Sequence, residues 1–145
     1  MTPDALAAAG IDEVDVPGAA HAAEHAAIGM LPLLATCDRW DIGGVSTDLH
    51  PGTGLPTIMV YDGHPGGAGF AARAHERITE WLTMTRDTIA GCACAGDGCP
   101  ACVVSPKCGN GNEPLDARGA VALLDLLLGT LGPTVSEDPL PQTAG

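Results

Sequence analysis

Five of the six cysteines fall between residues 92 and 108, in a stretch with almost no side chains apolar enough to build a core. Such a segment needs another source of order, and thiols offer two: disulfides or a metal ion. The run Cys92-Ala-Cys94-Ala-Gly-Asp-Gly-Cys99-Pro-Ala-Cys102 sets its sulfurs in two arms joined by small residues, and Lys107-Cys108 follows shortly after. Zinc takes four ligands at the corners of a tetrahedron, with thiolates at about 2.3 Å, and Gly-containing turns let two sulfurs converge from each arm. Cys92, Cys94, Cys99 and Cys102 are therefore the expected zinc ligands, with Cys108 as an alternative for one of them. Four thiolates on Zn²⁺ leave a net charge of about −2, which Lys107 is placed to offset in part. With no open position, the site would be structural.

Other readings of these thiols stay open beside that one. Cys99-Pro-Ala-Cys102 fits the C-x-x-C redox pattern, although no thioredoxin-like strand–helix–strand order precedes it. Disulfides require an oxidising compartment. The start, Met1-Thr-Pro-Asp, lacks a basic region followed by an apolar run, and no stretch approaches the roughly eighteen apolar residues of a membrane span. A cytoplasmic location without membrane contact is the expectation, and reducing pools there favour metal over disulfide.

Charge narrows the range of partners. The chain carries eighteen acids and six bases, a net −12 in 145 residues, which repels phosphate backbones and anionic lipid. Arg39 is the one base before residue 73, so any anion contact belongs in the second half. With only four aromatic residues (Trp40, Tyr61, Phe70 and Trp81), the core must be built mainly from Ala, Leu, Val and Ile. Twenty Gly and twelve Pro leave room for few regular elements.

A pass along the chain gives a mixed α/β (α+β) domain: a small zinc-stapled fold with a short β-hairpin or sheet and three main helices. Residues 1–18 are expected to be a disordered or truncated segment contributing nothing to the core. An Ala-rich helix over 19–35 is weakened by Gly29 and kinked or ended by Pro32. Strands at 43–49 and 55–62 flank the turn-forming His50-Pro-Gly-Thr-Gly54. After Asp62 comes a glycine-rich loop, and Phe70, Ala74, Ile78, Trp81, Thr85 and Ile89 then recur at helical spacing, with Arg73, Glu76, Arg77 and Glu80 on the wet face. Asn112-Glu113-Pro114-Leu115-Asp116 supplies capping residues for a last helix, Ala120 to Leu128, closed by Gly129. The domain proper is 19–129, and 130–145 is read as a disordered tail.

Two further motifs carry chemistry in other contexts. His21-Ala-Ala-Glu24-His25 fits the H-x-x-E-H pattern of a metallohydrolase, with two His one turn apart as ligands and Glu24 as general base. A third ligand and a substrate cleft are not evident, so helix-face packing is the plainer reading. Gly66-Gly67-Ala68-Gly69 at a helix start could offer backbone N–H groups to a phosphate, but the Gly-Lys-Ser/Thr of a nucleotide loop is missing. A close-packed strand-to-helix turn accounts for the same glycines, and ATP hydrolysis by this chain is not expected.

The segments HAAEHAAIGMLPLLATCDRWDIGG (21–44), YDGHPGGAGFAARA (61–74) and CACAGDGCPACVVSPKCGNGNEPLD (92–116), in this order, resemble the MrfA-type zinc-binding domain. That domain sits at the C-terminal end of superfamily 2 DNA helicases, including the SftH-like group, which translocate 3′ to 5′ on single strands and act in DNA repair. The resemblance covers roughly residues 19–129. It places the family's four zinc cysteines on Cys92, Cys94, Cys99 and Cys102, and it implies a non-catalytic accessory domain. Such a domain docks on a helicase core, in cis or in trans, and helps enclose single-stranded DNA. His64, Arg73, Arg77 and Lys107 are the candidate nucleic-acid contacts. The alternatives are a free-standing zinc module that binds another protein and a metallohydrolase using His21, Glu24 and His25.

Overall fold

The structure is a computed structural model that describes residues 3–35, 37, 41–47, 50–63, 69–92, 103, 108 and 114–131. Among them the order is α1 (Pro3–Ala8), α2 (Val16–Met30), β1 (Ile42–Thr47), β2 (Thr57–Asp62), α3 (Phe70–Glu76), α4 (Ile78–Ala90) and α5 (Ala117–Leu131). Short 3-10 turns at Glu13–Asp15 and Leu31–Leu33 flank α2. The fold is the expected α+β mixture, and α2, α4 and α5 are its long helices.

Helix α2 is the axis of the domain. From Val16 to Ile28 every residue but Pro17 is buried, because α5, α4 and both strands of the hairpin pack against this helix. Ala at 19, 20, 22, 23, 26 and 27 lets those neighbours approach closely. Gly18 lies so near the start of α5 that an added Cβ would sit 3.2 Å from the Asp116 Cβ, and the Asp116 N–H donates to the Gly18 carbonyl at 3.0 Å. Proline does not kink α2 within its length: the helix ends at Met30, and Pro32 is taken up in the 3-10 turn.

The strands pair antiparallel, Ile42 opposite Asp62 through to Thr47 opposite Thr57. Between them the His50 carbonyl accepts from the N–H of Thr53 and Gly54, the turn expected from its composition. At the far end of β2 the Asp62 carboxylate accepts from the backbone N–H of Gly69 (2.8 Å) and Ala71 (2.9 Å), fixing the start of α3.

Three expectations need correction. The first eighteen residues do join the core: Leu6, Ile11 and Val16 are buried against α2, α5 and Val103, since an Ala-rich α2 leaves space that larger side chains fill. The helix expected from Phe70 to Ile89 is two helices, because Arg77 departs from helical geometry (φ −119°, ψ 38°). Gly129 does not end the last helix, which runs from Ala117 to Leu131 and starts where the Asp116 carboxylate accepts from the Gly119 N–H at 2.9 Å. The tail expected over 130–145 lies outside the described residues from 132 onward.

The core has two parts. One gathers α1, α2, α5, Ile89 and Val103, and the other gathers Ala27, Ile28, Leu31, Leu34, Ile42, Ala74 and Trp81. Cys37 is half-buried against the second part, in keeping with a small packing residue. Among the described residues no helix is long and apolar enough to cross a membrane.

Candidate metal centre

Of the four expected zinc cysteines, Cys94, Cys99 and Cys102 lie outside the described residues. Cys92 follows the end of α4 and is half-buried, packing against the larger core cluster. The residue after Cys102 is anchored as well: Val103 is fully buried. The cysteine segment therefore has an apolar anchor at Val103 that its composition did not advertise, because two adjacent valines in a Gly- and Cys-rich run give no periodic signal.

A second set of donors comes together where the sequence showed only fragments. His21 and His25 lie one turn apart on α2, both buried, with ring centroids 4.2 Å apart in a T-shaped arrangement. His21 Nδ1 is 2.9 Å from the Pro114 carbonyl, and His25 Nδ1 is 2.7 Å from the Val103 carbonyl. A carbonyl only accepts, so each Nδ1 carries a hydrogen, and in the neutral ring each Nε2 is then the atom with a lone pair to offer. Half-buried Cys108 brings its Sγ to 3.4 Å from His21 Nε2. The three side chains each offer a ligand atom within 4.8 Å of the others. Zinc chemistry suits this donor set: imidazole and thiolate are its usual ligands, and backbone carbonyls commonly hold the far nitrogen of such histidines.

Glu24, the third member of the H-x-x-E-H motif, is turned to other work. One residue before His25, it points to a different face of α2 and packs under β1, where a Cβ on Gly44 would come 2.9 Å from its Oε1. Burial pushes its carboxyl above the ordinary value, partly offset by the nearby His21 and a hydrogen bond with Ser46. Its carboxylate is not part of the His21–His25–Cys108 group. Cys108, rather than Glu24, completes the trio.

The candidate nucleic-acid contacts divide. His64 and Lys107 lie outside the described residues. Arg73 is exposed on α3, and Arg77, at the break before α4, is paired with Glu80 through its Nε at 2.8 Å. The glycine loop is described only at its end, and there the Asp62 carboxylate already receives two of the N–H groups at the start of α3. These two donors serve the strand-to-helix turn, as the packing reading has it.

A family model described as the MrfA Zn-binding domain matches residues 23–103, more than half of the chain. The Methanocaldococcus jannaschii protein MJ1572.1 is 37% identical over 111 residues, covering 74% of this chain and 98% of that protein. The ATP-dependent helicase hrq1 of Schizosaccharomyces pombe is 33% identical over 125 residues, covering 74% of this chain but 12% of the helicase. Among solved structures, the helicase MrfA bound to DNA superposes with a TM-score of 0.57 at 28% identity, covering 88% of this chain and 15% of that one. The chain thus spans a small fraction of the helicases it matches and nearly the whole of the archaeal protein.

Proposed function

Because the chain belongs to the family of MrfA Zn-binding domains, we propose that it acts as a non-catalytic accessory domain of a superfamily 2 DNA-repair helicase. In this reading Cys92, Cys94, Cys99 and Cys102 hold zinc, and the domain docks on the helicase core and helps enclose single-stranded DNA. The observation that carries it is the likeness, over most of this chain, to a small part of DNA-bound MrfA. Zinc, when bound, supplies folding free energy to the cysteine segment, since the ligands converge only in the folded state. The chain's own contribution is the platform: α4 leads into Cys92 at one end, and Val103 holds the other in the core.

The docking face has a physical candidate. An apolar groove of about 410 Å³ opens along β2, α4 and α5, lined by Leu6, Ile58, Val60, Leu82, Leu127 and Leu131. A groove so poor in polar groups fits a protein partner better than a phosphate backbone, as does the net charge of −12. The helicase core is the occupant to which we commit, because in the matched helicases this domain is a minor part of a longer chain. The archaeal relative, matched over 98% of its length, favours a second arrangement in which the core is supplied in trans.

Metal content is the deciding experiment. Cys94→Ser or Cys99→Ser should remove about one zinc per chain, and chelation should raise hydrogen exchange across residues 91–112. Wild-type zinc in both variants would sink the four-cysteine reading. Joined to a helicase core, the double variant Arg73→Ala and Arg77→Ala should weaken single-strand binding and flatten its salt slope by about 1.4. An unchanged slope would remove these two arginines from the DNA path.

A further inference from the structure

The four-cysteine reading makes no use of His21, His25 or Cys108, yet α2 and the segment before α5 bring them to one spot. Sequence separation makes the meeting specific: Cys108 is 87 residues from His21, and the carbonyl holding the His25 ring is 78 residues from it. Two imidazoles buried together on an otherwise Ala-lined helix are costly to maintain unless their polar atoms are engaged. Here both Nδ1 atoms face carbonyls, which leaves Nε2 as the ligating nitrogen of each neutral ring, and the Nε2 of His21 faces the Cys108 thiol. A zinc ion with bonds of about 2.0–2.1 Å to nitrogen and 2.3 Å to sulfur has a tetrahedral N···S edge of about 3.6 Å. The Cys108 Sγ–His21 Nε2 separation is 3.4 Å.

We propose that His21 Nε2, His25 Nε2 and Cys108 Sγ form a second site for a zinc-class divalent cation, separate from the site of the four cysteines. Imidazole and thiolate donors select this class over magnesium or calcium, which require oxygen. On binding, Cys108 loses its thiol proton to solvent as the sulfur–metal bond forms, and both imidazoles stay neutral. The site then carries a net charge of about +1, opposite in sign to a tetrathiolate zinc. Three protein donors leave one tetrahedral position to a further ligand. The ion would tie α2 to the chain between Val103 and Pro114, whose carbonyls already orient the two rings. The family match, residues 23–103, includes neither His21 nor Cys108, so the proposal does not follow from membership.

Elemental analysis of the full-length purified chain tests this independently of the four-cysteine reading. Wild type should carry about two zinc ions, and both Cys108→Ser and Cys94→Ser about one each. Loaded with cobalt(II), the Cys94→Ser/Cys99→Ser variant should keep a tetrahedral ligand-field band with one-thiolate charge transfer, which a further Cys108→Ser abolishes. Because His21→Ala could fail by unfolding, the conservative Cys108→Ser carries the decision, with circular dichroism as the control. Where a cysteine variant fails to fold, cobalt titration of wild type decides, saturating at about two equivalents if the proposal holds and about one if it does not. Wild-type metal content in Cys108→Ser overturns the proposal. So does a single ion lost equally from Cys108→Ser and Cys94→Ser, which would make the two sets one centre. Unchanged metal in Cys94→Ser counts against the four-cysteine reading instead.

Discussion

His25 Nδ1 lies 2.7 Å from the carbonyl of Val103, the residue that directly follows Cys102. This hydrogen bond joins the central helix to the cysteine segment, and it is buried. Replacing His25 with leucine keeps the bulk but leaves the Val103 carbonyl without its donor. A loss of about 1–3 kcal/mol is expected, the usual cost of stranding a buried polar group. Urea denaturation of the zinc-loaded chain measures this loss together with any ligand role of His25, and unaltered stability would mean the bond is not formed.

Trp81 ties α4 to α2 by its ring and by its indole N–H, which donates to the Ala27 carbonyl at 2.8 Å. The two contributions separate by substitution. Trp81→Phe keeps most of the ring and should cost about 1 kcal/mol for the hydrogen bond plus some packing, whereas Trp81→Ala should cost about 3–5 kcal/mol. Equal effects would show that the hydrogen bond dominates.

Neighbouring glycines of β1 should respond unequally to alanine. A Cβ at Gly44 would stand 2.8 Å from Ile28 Cδ1 and 2.9 Å from Glu24 Oε1, both on buried residues of α2. At Gly43 it would stand 2.5 Å from the ring of Tyr61, which is 53% exposed and able to swing outward. Gly44→Ala should therefore destabilise by about 1–3 kcal/mol, in the range of other overpacked sites, and Gly43→Ala by less. Thermal denaturation of the pair checks the order.

Asp62 holds the strand-to-helix turn through both carboxylate oxygens. Asp62→Ala should cost about 0.5–2 kcal/mol, as for loss of a helix cap. Faster exchange of the Gly69 and Ala71 amides should accompany it. Protection unchanged at both would show that the loop, not the carboxylate, sets the turn.

Much of the fold was legible because the signals are local. Gly and Pro around residues 50–54 mark the hairpin, and the spacing of Phe70, Ala74 and Trp81 marks a helical face. The break at Arg77 and the extension of α5 past Gly129 were not legible, since packing against α2 outweighs propensity at single positions. The core role of Leu6 and Ile11 was hidden for a similar reason: the space they fill exists only once Ala-rich α2 has met α5.

The candidate metal centre divides along the same line. By itself the sequence marked a cysteine-rich, core-poor segment near residues 92–108 as the candidate ligand set for a metal, and determined that His21 and His25 share one face of a helix, because both readings rest on spacing within a few residues. Only the tertiary structure decided that Glu24 turns to β1 while Cys108 joins the two histidines, and that Val103 and Pro114 hold their rings. Those partners are 78 to 93 residues away, a distance over which spacing carries no information and the packing of α2 against its neighbours determines who meets.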